Sequence, residues 1–218
     1  MKILPTRTNN GLSDKVYQSL YNRIVTGRLK PGQRITEMQI AKSEGVSQAP
    51  VREALKRLAE DRLVDLVPRI GCYVCELTRQ DVNYLFEIRK RLESLALEYA
   101  FENLDPKRVQ KLRQRFSECR EYDEHKLIQK ELRLDSQLHS MIFKASGSSD
   151  LQILLNKLWA RIQLFRIREA TDVARARLAL ERHLEILDSI LAGDMKKAQG
   201  ILLQHLEESQ QNILEHFV

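Results

Sequence analysis

Glycine and proline are concentrated in the first third of this chain, and their scarcity afterwards is the strongest constraint on its fold. Among 8 glycines and 5 prolines in 218 residues, a cluster falls at Pro31-Gly32, Gly45, Pro50, Pro68 and Gly71. The next glycine after this cluster is Gly147. Because these residues punctuate secondary structure, the N-terminal third is predicted to hold short elements and the remainder long helices. The composition shift predicts two domains, residues 1–76 and residues 77–218.

The N-terminal domain has the pattern of three helices followed by a β-hairpin. Apolar residues at helical spacing predict a first helix that Gly27 closes, then helices over about 36–44 and 48–61. Two short β-rich runs follow at 63–67 and 72–75, joined by a tight turn. This order of elements predicts a winged helix-turn-helix whose wing is the hairpin.

The second domain is predicted to be an all-α bundle of six helices, which makes the whole chain mainly α. Proline suits the first position of a helix, and aspartate, serine or threonine suits its N-cap. On these signals helices begin near Thr78, Pro106, His125, Ser149, Asp172 and Asp194. Without a run of strand-like residues between them, these helices can only pack on one another.

Charge separates the two domains and indicates a polyanionic partner for the first. The net charge of +6 divides into +5 for residues 1–76, with 13 Lys/Arg against 8 Asp/Glu, and +1 for the rest. No apolar run approaches the length of a membrane span, and no secretory signal opens the chain, so no membrane partner is expected. Three cysteines, an odd number, argue against a disulfide scaffold and fit the reducing cytoplasm.

The third helix has one apolar face for the core and one polar face suited to the major groove of double-stranded DNA. Ser47 precedes this helix, where it is placed as the N-cap and where free backbone amides favour phosphate. Arg52, one turn in, can reach a guanine edge or a phosphate. Arg69 at the hairpin tip is expected to touch the adjacent backbone or the minor groove. The residues assigned to DNA are Ser47, Gln48, Ala49, Arg52, Lys56 and Arg69.

Residues 12–75 resemble the GntR-type winged helix. The resemblance is carried by Leu29-Lys-Pro-Gly-Gln-Arg-Ile-Thr-Glu37, Ile40-Ala41, Gly45-Val-Ser, Pro50-Val-Arg-Glu-Ala-Leu55, Arg57-Leu58 and Leu63-Val64. Three positions differ from the usual family pattern. Gln48 and Ala49 stand where members carry Arg and then Ser or Thr, and Arg62 stands where they carry Gly. A glutamine at the first of these positions favours adenine over guanine as the base that is read.

Several polar residues fall on inward stripes of the predicted bundle helices. Arg89 lies in a stripe with Val82, Leu85, Leu92, Ala96 and Tyr99, where its guanidinium needs either Glu93 or an anionic ligand as partner. Asp135 and His139 share one helical face, and His183 and His205 lie on inward stripes of two further helices. Three histidines and an aspartate converging in one bundle suit a divalent transition metal, with Zn, Ni, Mn and Fe all compatible.

The second domain is similar to the ligand-sensing FCD domain of the FadR subfamily, in its six-helix variant. The similarity is carried by Glu87-Ile-Arg-Lys-Arg-Leu-Glu93, Asp135-Ser-Gln-Leu-His139, His183-Leu-Glu-Ile-Leu, Ala192-Gly-Asp194 and His205-Leu206. It implies that Asp135, His139, His183 and His205 bind a metal, Zn first among the candidates. It also implies that Arg89 binds the carboxylate of a small organic acid effector. Arg182 stands where many relatives have Glu.

The two resemblances together imply a homodimeric transcriptional regulator, most simply a repressor, that binds a pseudo-palindromic operator and answers to an organic acid. Three alternatives remain open: the metal itself is the signal, the metal is purely structural, or the protein is a metalloenzyme. The enzyme is disfavoured because no catalytic base or nucleophile motif accompanies the ligands. Cys72 and Cys75 form a C-x₂-C pair without a second pair, which is weak evidence for a metal site.

Overall fold

The computed structural model describes residues 11–169 and 172–217. The chain forms two compact units. The N-terminal unit includes the chain up to Thr78 together with residues 157–168, and the C-terminal unit includes residues 79–156 and the chain from Glu169 onward. The division at residues 76 and 77 was expected from composition alone and stays a prediction.

The N-terminal unit contains the three helices and the hairpin that the sequence predicts. Its elements are α1 (Leu12–Val25), β1 (Arg34–Ile35), α2 (Glu37–Glu44), α3 (Gln48–Glu60), β2 (Val64–Val67) and β3 (Gly71–Val74). The inward faces of α1 and α3 pack together and bury Leu20, Ile24, Leu55 and Leu58. Arg57 extends from α3 to an ion pair with Asp14 on α1, which ties the two helices at the edge of this core.

One strand was not predicted. Arg34–Ile35 pairs antiparallel with β3, so the wing is a three-stranded sheet in the order β1-β3-β2. The guanidinium of Arg34 donates a hydrogen bond to the carbonyl of Ile70, 2.9 Å away, and thereby anchors the hairpin turn. A two-residue strand has no periodicity of its own, so only its partner strand reveals it.

The turn between α2 and α3 depends on backbone conformation at Gly45, and the loop after α3 has the same requirement. Gly45 ends α2 with φ of 66° in the left-handed region. Arg62 adopts φ of 55°, also in the left-handed region, where glycine is the residue with the least steric cost. Ser47 is the N-cap of α3 as expected, but its side chain makes no capping hydrogen bond, so only its position is confirmed.

The C-terminal unit is all-helical and its helices begin close to the predicted starts. They are α4 (Arg79–Ala100), α5 (Pro106–Glu118), α6 (Glu124–Ala145), α7 (Ser149–Glu169, which continues into the N-terminal unit), α8 (Val173–Leu191) and α9 (Met195–Leu214). Short 3-10 helices follow α4 and α5 at Phe101–Asn103 and Cys119–Glu121. Four helices start at an aspartate whose carboxylate accepts a backbone N–H, namely Asp105, Asp123, Asp172 and Asp194.

Helix packing in this unit places four helices around one centre. Helix α4 packs on α6 and α9, and α8 packs on α5, α6 and α9. Most of the apolar stripe assigned to α4 is buried, including Val82, Leu85 and Ala96. Tyr99 is a correction: this residue is 51% exposed, because a strict heptad stripe drifts around the helix and has left the buried face by the last turn of α4. Within the described ranges, no helix is long and apolar enough to cross a membrane.

Two glycines provide a matched test of this backbone account. Gly45→Ala should lower the free energy of unfolding by about 1 kcal/mol, because a Cβ is unfavourable in the left-handed region. Gly200→Ala, inside α9 where an added Cβ meets nothing within 4 Å, should raise it by roughly 0.5–1 kcal/mol. Calorimetric unfolding of both variants checks the opposite signs, and the same sign for both would contradict the assignment.

Candidate metal centre and nucleic-acid interface

Four candidate ligands meet in the interior of the C-terminal unit. Asp135 and His139 lie one turn apart on α6, His183 on α8 and His205 on α9, and all four are buried. One ligand atom from each lies within 4.8 Å of the others. The structure therefore brings together the four residues that the sequence selects, from three different helices.

The three imidazoles surround a single carboxylate oxygen. Oδ1 of Asp135 lies 3.5 Å from Nε2 of His139, 3.1 Å from Nε2 of His183 and 3.7 Å from Nε2 of His205. The rings of His183 and His205 are closest, with centroids 4.4 Å apart. In every case it is Nε2, not Nδ1, that faces the aspartate.

The opposite ring nitrogens of two histidines meet buried glutamates. Nδ1 of His139 lies 2.5 Å from Oε2 of Glu93, whose other oxygen, Oε1, forms an ion pair with Nε of Arg89. Nδ1 of His183 lies 3.3 Å from Oε1 of Glu131. Arg89 and both glutamates are at most 3% exposed. The sequence suggested Glu93 only as the partner of Arg89 and missed Glu131 altogether.

A sequence signal for Glu131 does exist. Glu131, Asp135 and His139 are spaced by four residues along α6 and therefore share one face of that helix. The contact between Glu131 and His183, however, joins α6 to α8, and spacing within one helix cannot reveal it. For Arg89, the structure shows the neighbouring carboxylate as its partner, and a role in effector binding stays a prediction.

Burial and charge act against each other at this centre. Burial disfavours the ionised Glu93, but Arg89 and His139 outweigh it and lower the pKa of this carboxyl to about 2. Burial also disfavours the charged form of His183, but Asp135 and Glu131 outweigh it and raise its pKa to about 9. For His205, burial and the neighbouring His183 together lower the pKa to about 3. The carboxylates thus favour the charged form of His183, whereas burial favours the neutral form of His205.

This donor set fits a divalent transition metal. Imidazole nitrogen and carboxylate oxygen are common ligands of such ions, and four buried groups match a four-coordinate site. A ligand histidine usually donates its second ring N–H to a carboxylate, as the positions of Glu93 and Glu131 allow. Three carboxyl groups and one guanidinium are buried here, so with all of them ionised the surroundings of the imidazoles carry a charge of −2.

Arg182, which departs from the family pattern, faces away from this centre. Its guanidinium lies 2.9 Å from Oε1 of Glu208 on α9 and 3.1 Å from Oε2 of Glu185 on its own helix. The side chain therefore links α8 to α9 within three residues of His183 and His205. Arg182 thus forms an ion pair that connects the two helices carrying these histidines.

The residues assigned to DNA lie on the surface of the N-terminal unit. Val51 and Leu55 face its core, and the opposite face of α3 is exposed, including Ser47, Gln48, Ala49, Arg52 and Lys56. Arg69 is exposed in the hairpin turn with φ of 65°, again a left-handed conformation. Arg52 pairs with Glu37 of α2 at 3.1 Å, yet 60% of its side chain remains exposed. These side chains form one accessible basic surface on α3 and a second basic point on the wing.

The cysteine pair gives no support to a metal role. Burial first, and then Asp65, raise the pKa of Cys72 to about 11 and that of Cys75 to about 12. Both side chains are buried in the N-terminal unit. Since metals bind the thiolate, two thiols that resist ionisation in this way are poor ligands.

Two protein families match this chain. Residues 12–74 match the gntR family of bacterial regulatory proteins, and residues 84–208 match the FCD domain. These ranges coincide with the resemblances found in the sequence.

Several relatives match along nearly the whole chain. The HTH-type transcriptional regulator YdhC of Bacillus subtilis is 32% identical over 198 residues, which cover 90% of this chain and 88% of that protein. The HTH-type transcriptional repressor RspR of Escherichia coli is 24% identical over 202 residues, 93% of this chain and 89% of that protein. The structure of E. coli McbR/YncC superposes with a TM-score of 0.82 at 24% identity, covering 95% and 99% of the two chains, which shows a common fold.

The buried ion pair leads to a stability prediction. Glu93→Gln should lower the free energy of unfolding of the metal-free protein by about 3–5 kcal/mol, because it leaves a buried guanidinium without its carboxylate. The double variant Arg89→Met/Glu93→Gln should recover most of this loss, since no uncompensated charge remains. Glu98→Gln, an exposed position on the same helix, is the matched control. Urea titrations check all three, and equal losses in the single and double variants would contradict the prediction.

Proposed function

Since the chain belongs to the GntR family and carries an FCD domain, it is a DNA-binding transcriptional regulator, and we propose that a metal ion and a small organic acid in the C-terminal unit control its binding to an operator. The matched relatives are regulators too, which confirms the expectation of a regulator rather than an enzyme. We place its action in the cytoplasm, where operator DNA lies.

The observation that carries the metal proposal is the convergence of Nε2 atoms from His139, His183 and His205 on Oδ1 of Asp135. A divalent cation bound among these four groups would offset the surrounding negative charge. When bound, such an ion supplies a fixed positive charge and Lewis acidity toward an anionic ligand. We propose Zn as the native ion, with Ni, Mn and Fe as the other candidates.

The proposed effector is a small organic acid whose carboxylate binds next to Arg89. The guanidinium is buried and pairs through Nε with Glu93, which itself contacts a metal-binding histidine. A carboxylate bound at the guanidinium would therefore displace Glu93 from Arg89 or pair with Arg89 alongside it. This arrangement gives the effector a direct electrostatic route to the metal ligand His139.

For DNA, we propose that α3 enters the major groove. Gln48 and Ala49 lie at its exposed N-terminal end, Arg52 and Lys56 follow along the same face, and Ser47 offers backbone amides to a phosphate. Arg69 of the wing reaches the adjacent backbone or minor groove. In the proposed homodimer, two such helices lie about 34 Å apart on a pseudo-palindromic operator. Effector binding shifts the population between DNA-competent and DNA-incompetent forms, which produces derepression.

A second version, in which the metal alone is the signal, is favoured by one observation. All four ligands are at most 4% exposed, as in closed four-coordinate sites rather than in sites with an open position. Operator binding measured against free Zn²⁺ distinguishes the two versions. The acid-responsive version predicts that metal-loaded protein stays on the operator until a small carboxylate is added. Release by the metal alone would favour the second version.

The five histidines provide matched variants for the metal site. Purified protein should hold about one metal ion per chain, because one set of four ligands suits one tetrahedral ion. His139→Ala, His183→Ala and His205→Ala should each lose the ion, and His125→Ala and His216→Ala, both at exposed positions, should keep it. Elemental analysis of the six proteins checks this expectation. Retention of full metal content by any of the first three variants would argue against that ligand.

Operator binding is tested first by footprinting DNA next to the protein's own coding region, where a two-fold symmetric, salt-sensitive protected site is expected. Arg52→Ala should weaken binding to that site by roughly 5- to 150-fold, the cost of one specific contact. Arg177→Ala, at an exposed position on α8, removes the same charge and should leave the affinity unchanged. Metal content should be equal in both variants. Unaltered operator affinity in Arg52→Ala would remove this residue from the interface.

A further inference from the structure

We propose that Glu131 and Glu93 are positioning residues for the metal site, each holding one histidine in the tautomer that presents Nε2 to the ion. The inference rests on the proposed metal site and deepens it. It assigns the two buried glutamates, neither of which is itself among the four converging ligands, a shared task in setting metal affinity.

Glu131 makes a contact between two helices. It lies on α6, is 3% exposed, and directs Oε1 to within 3.3 Å of Nδ1 of His183 on α8. Burying a carboxylate is costly unless a neighbouring group compensates for its charge. Nδ1 of His183 lies at ion-pair distance from this carboxylate and is the nearest compensating group, and Nε2 of the same ring remains directed toward Asp135.

Glu93 plays the same part for His139 from a different helix. Its two oxygens have separate partners, Arg89 through Oε1 and Nδ1 of His139 through Oε2. Because Arg89 secures one oxygen, the carboxylate is fixed and can hold the imidazole plane at one angle. The histidine is thereby oriented from α4, although it belongs to α6.

The chemical reason for this pairing is the imidazole tautomer. A neutral ring carries its proton on one nitrogen, and only the other nitrogen has the lone pair that a metal requires. A carboxylate at Nδ1 keeps the proton there, orients the ring and makes Nε2 more basic. Loss of such an outer partner typically costs about 10- to 100-fold in metal affinity.

His205 differs from the other two histidines and serves as an internal comparison. Its Nε2 lies 3.7 Å from Asp135, but among the described residues no acidic side chain lies within ion-pair distance of its Nδ1. The carboxylate pairing is therefore specific to His139 and His183. If a carboxylate at Nδ1 were a general feature of buried histidines in this bundle, His205 would have one too.

The decisive variant is Glu131→Gln in the full-length chain, with Zn²⁺ as the probe in competition with a chromophoric chelator. The expected result is about 10- to 100-fold weaker Zn²⁺ binding, because a neutral amide no longer attracts the imidazole proton to Nδ1 of His183. Glu124→Gln, exposed at the start of the same helix, should bind Zn²⁺ as the wild type does. For Glu93, Arg89→Met/Glu93→Gln is compared with Arg89→Met, and the double variant should be weaker by a similar factor.

Thermal unfolding of the metal-free proteins separates positioning from a merely structural role. Positioning predicts that Zn²⁺ binding weakens in Glu131→Gln even where the metal-free protein melts at the wild-type temperature, because the lost carboxylate orients His183 toward the ion. A merely structural glutamate would lower the melting temperature without metal and leave the Zn²⁺ affinity unchanged, and that result overturns the proposal.

Nitrogen-15 spectra of histidine side chains in the Zn²⁺-loaded wild type test the same point without any substitution. His139 and His183 should carry their proton on Nδ1 and bind through Nε2. Binding of either through Nδ1 overturns the proposal even if the variants fail to fold. Wild-type protein that takes up no metal would refute the proposed metal site itself, whereas normal Zn²⁺ binding by wild type and Glu131→Gln alike refutes only the role of the glutamates.

Discussion

The interior of the C-terminal unit depends on the mutual compensation of its buried charges. One guanidinium, three carboxyl groups and three imidazoles lie in the interior, with side chains contributed by α4, α6, α8 and α9. Each is tolerable there only because another holds an opposite charge or a hydrogen bond at short range. The network runs from Arg89 through Glu93 and His139 to Asp135, and from there to His183 and Glu131. Apolar packing alone would hold these helices together, but it would not place a cluster of charged and metal-competent side chains at their centre.

The N-terminal unit uses charge in the opposite way. Its basic side chains remain at the surface, where water screens them until a polyanion displaces it. Arg52 illustrates the difference, because its ion pair with Glu37 is solvent-accessible and would cost little to exchange for a phosphate. The pair formed by Arg89 and Glu93 is buried and is expensive to break. One chain thus places exchangeable charge on the surface that we propose for DNA and fixed charge at the centre that we propose for a metal.

Much of this organisation follows from the sequence because it depends on local patterns. The helix starts at Asp105, Asp172 and Asp194 are marked by local capping hydrogen bonds. The four converging residues can be selected because helical periodicity places each of them on the inward face of its helix. Local patterns do not reveal contacts between elements that are distant in the sequence. Strand β1 is recognised only by its pairing with β3, and Glu131 is recognised as part of the cluster only by its contact with His183 on another helix. Tyr99 was placed inside because a strict repeat ignores the slow rotation of a stripe around a straight helix.

The central claim is that the buried cluster is a metal site, and anomalous diffraction tests it most directly. Crystals of protein purified without added chelator, measured on both sides of the absorption edge of the metal found, should show one anomalous peak per chain in the C-terminal unit. The account predicts that peak at about 2.0–2.2 Å from Nε2 of each of the three histidines and from a carboxylate oxygen of Asp135. A peak bound elsewhere, or none at a site whose four side chains are fully ordered, would contradict it.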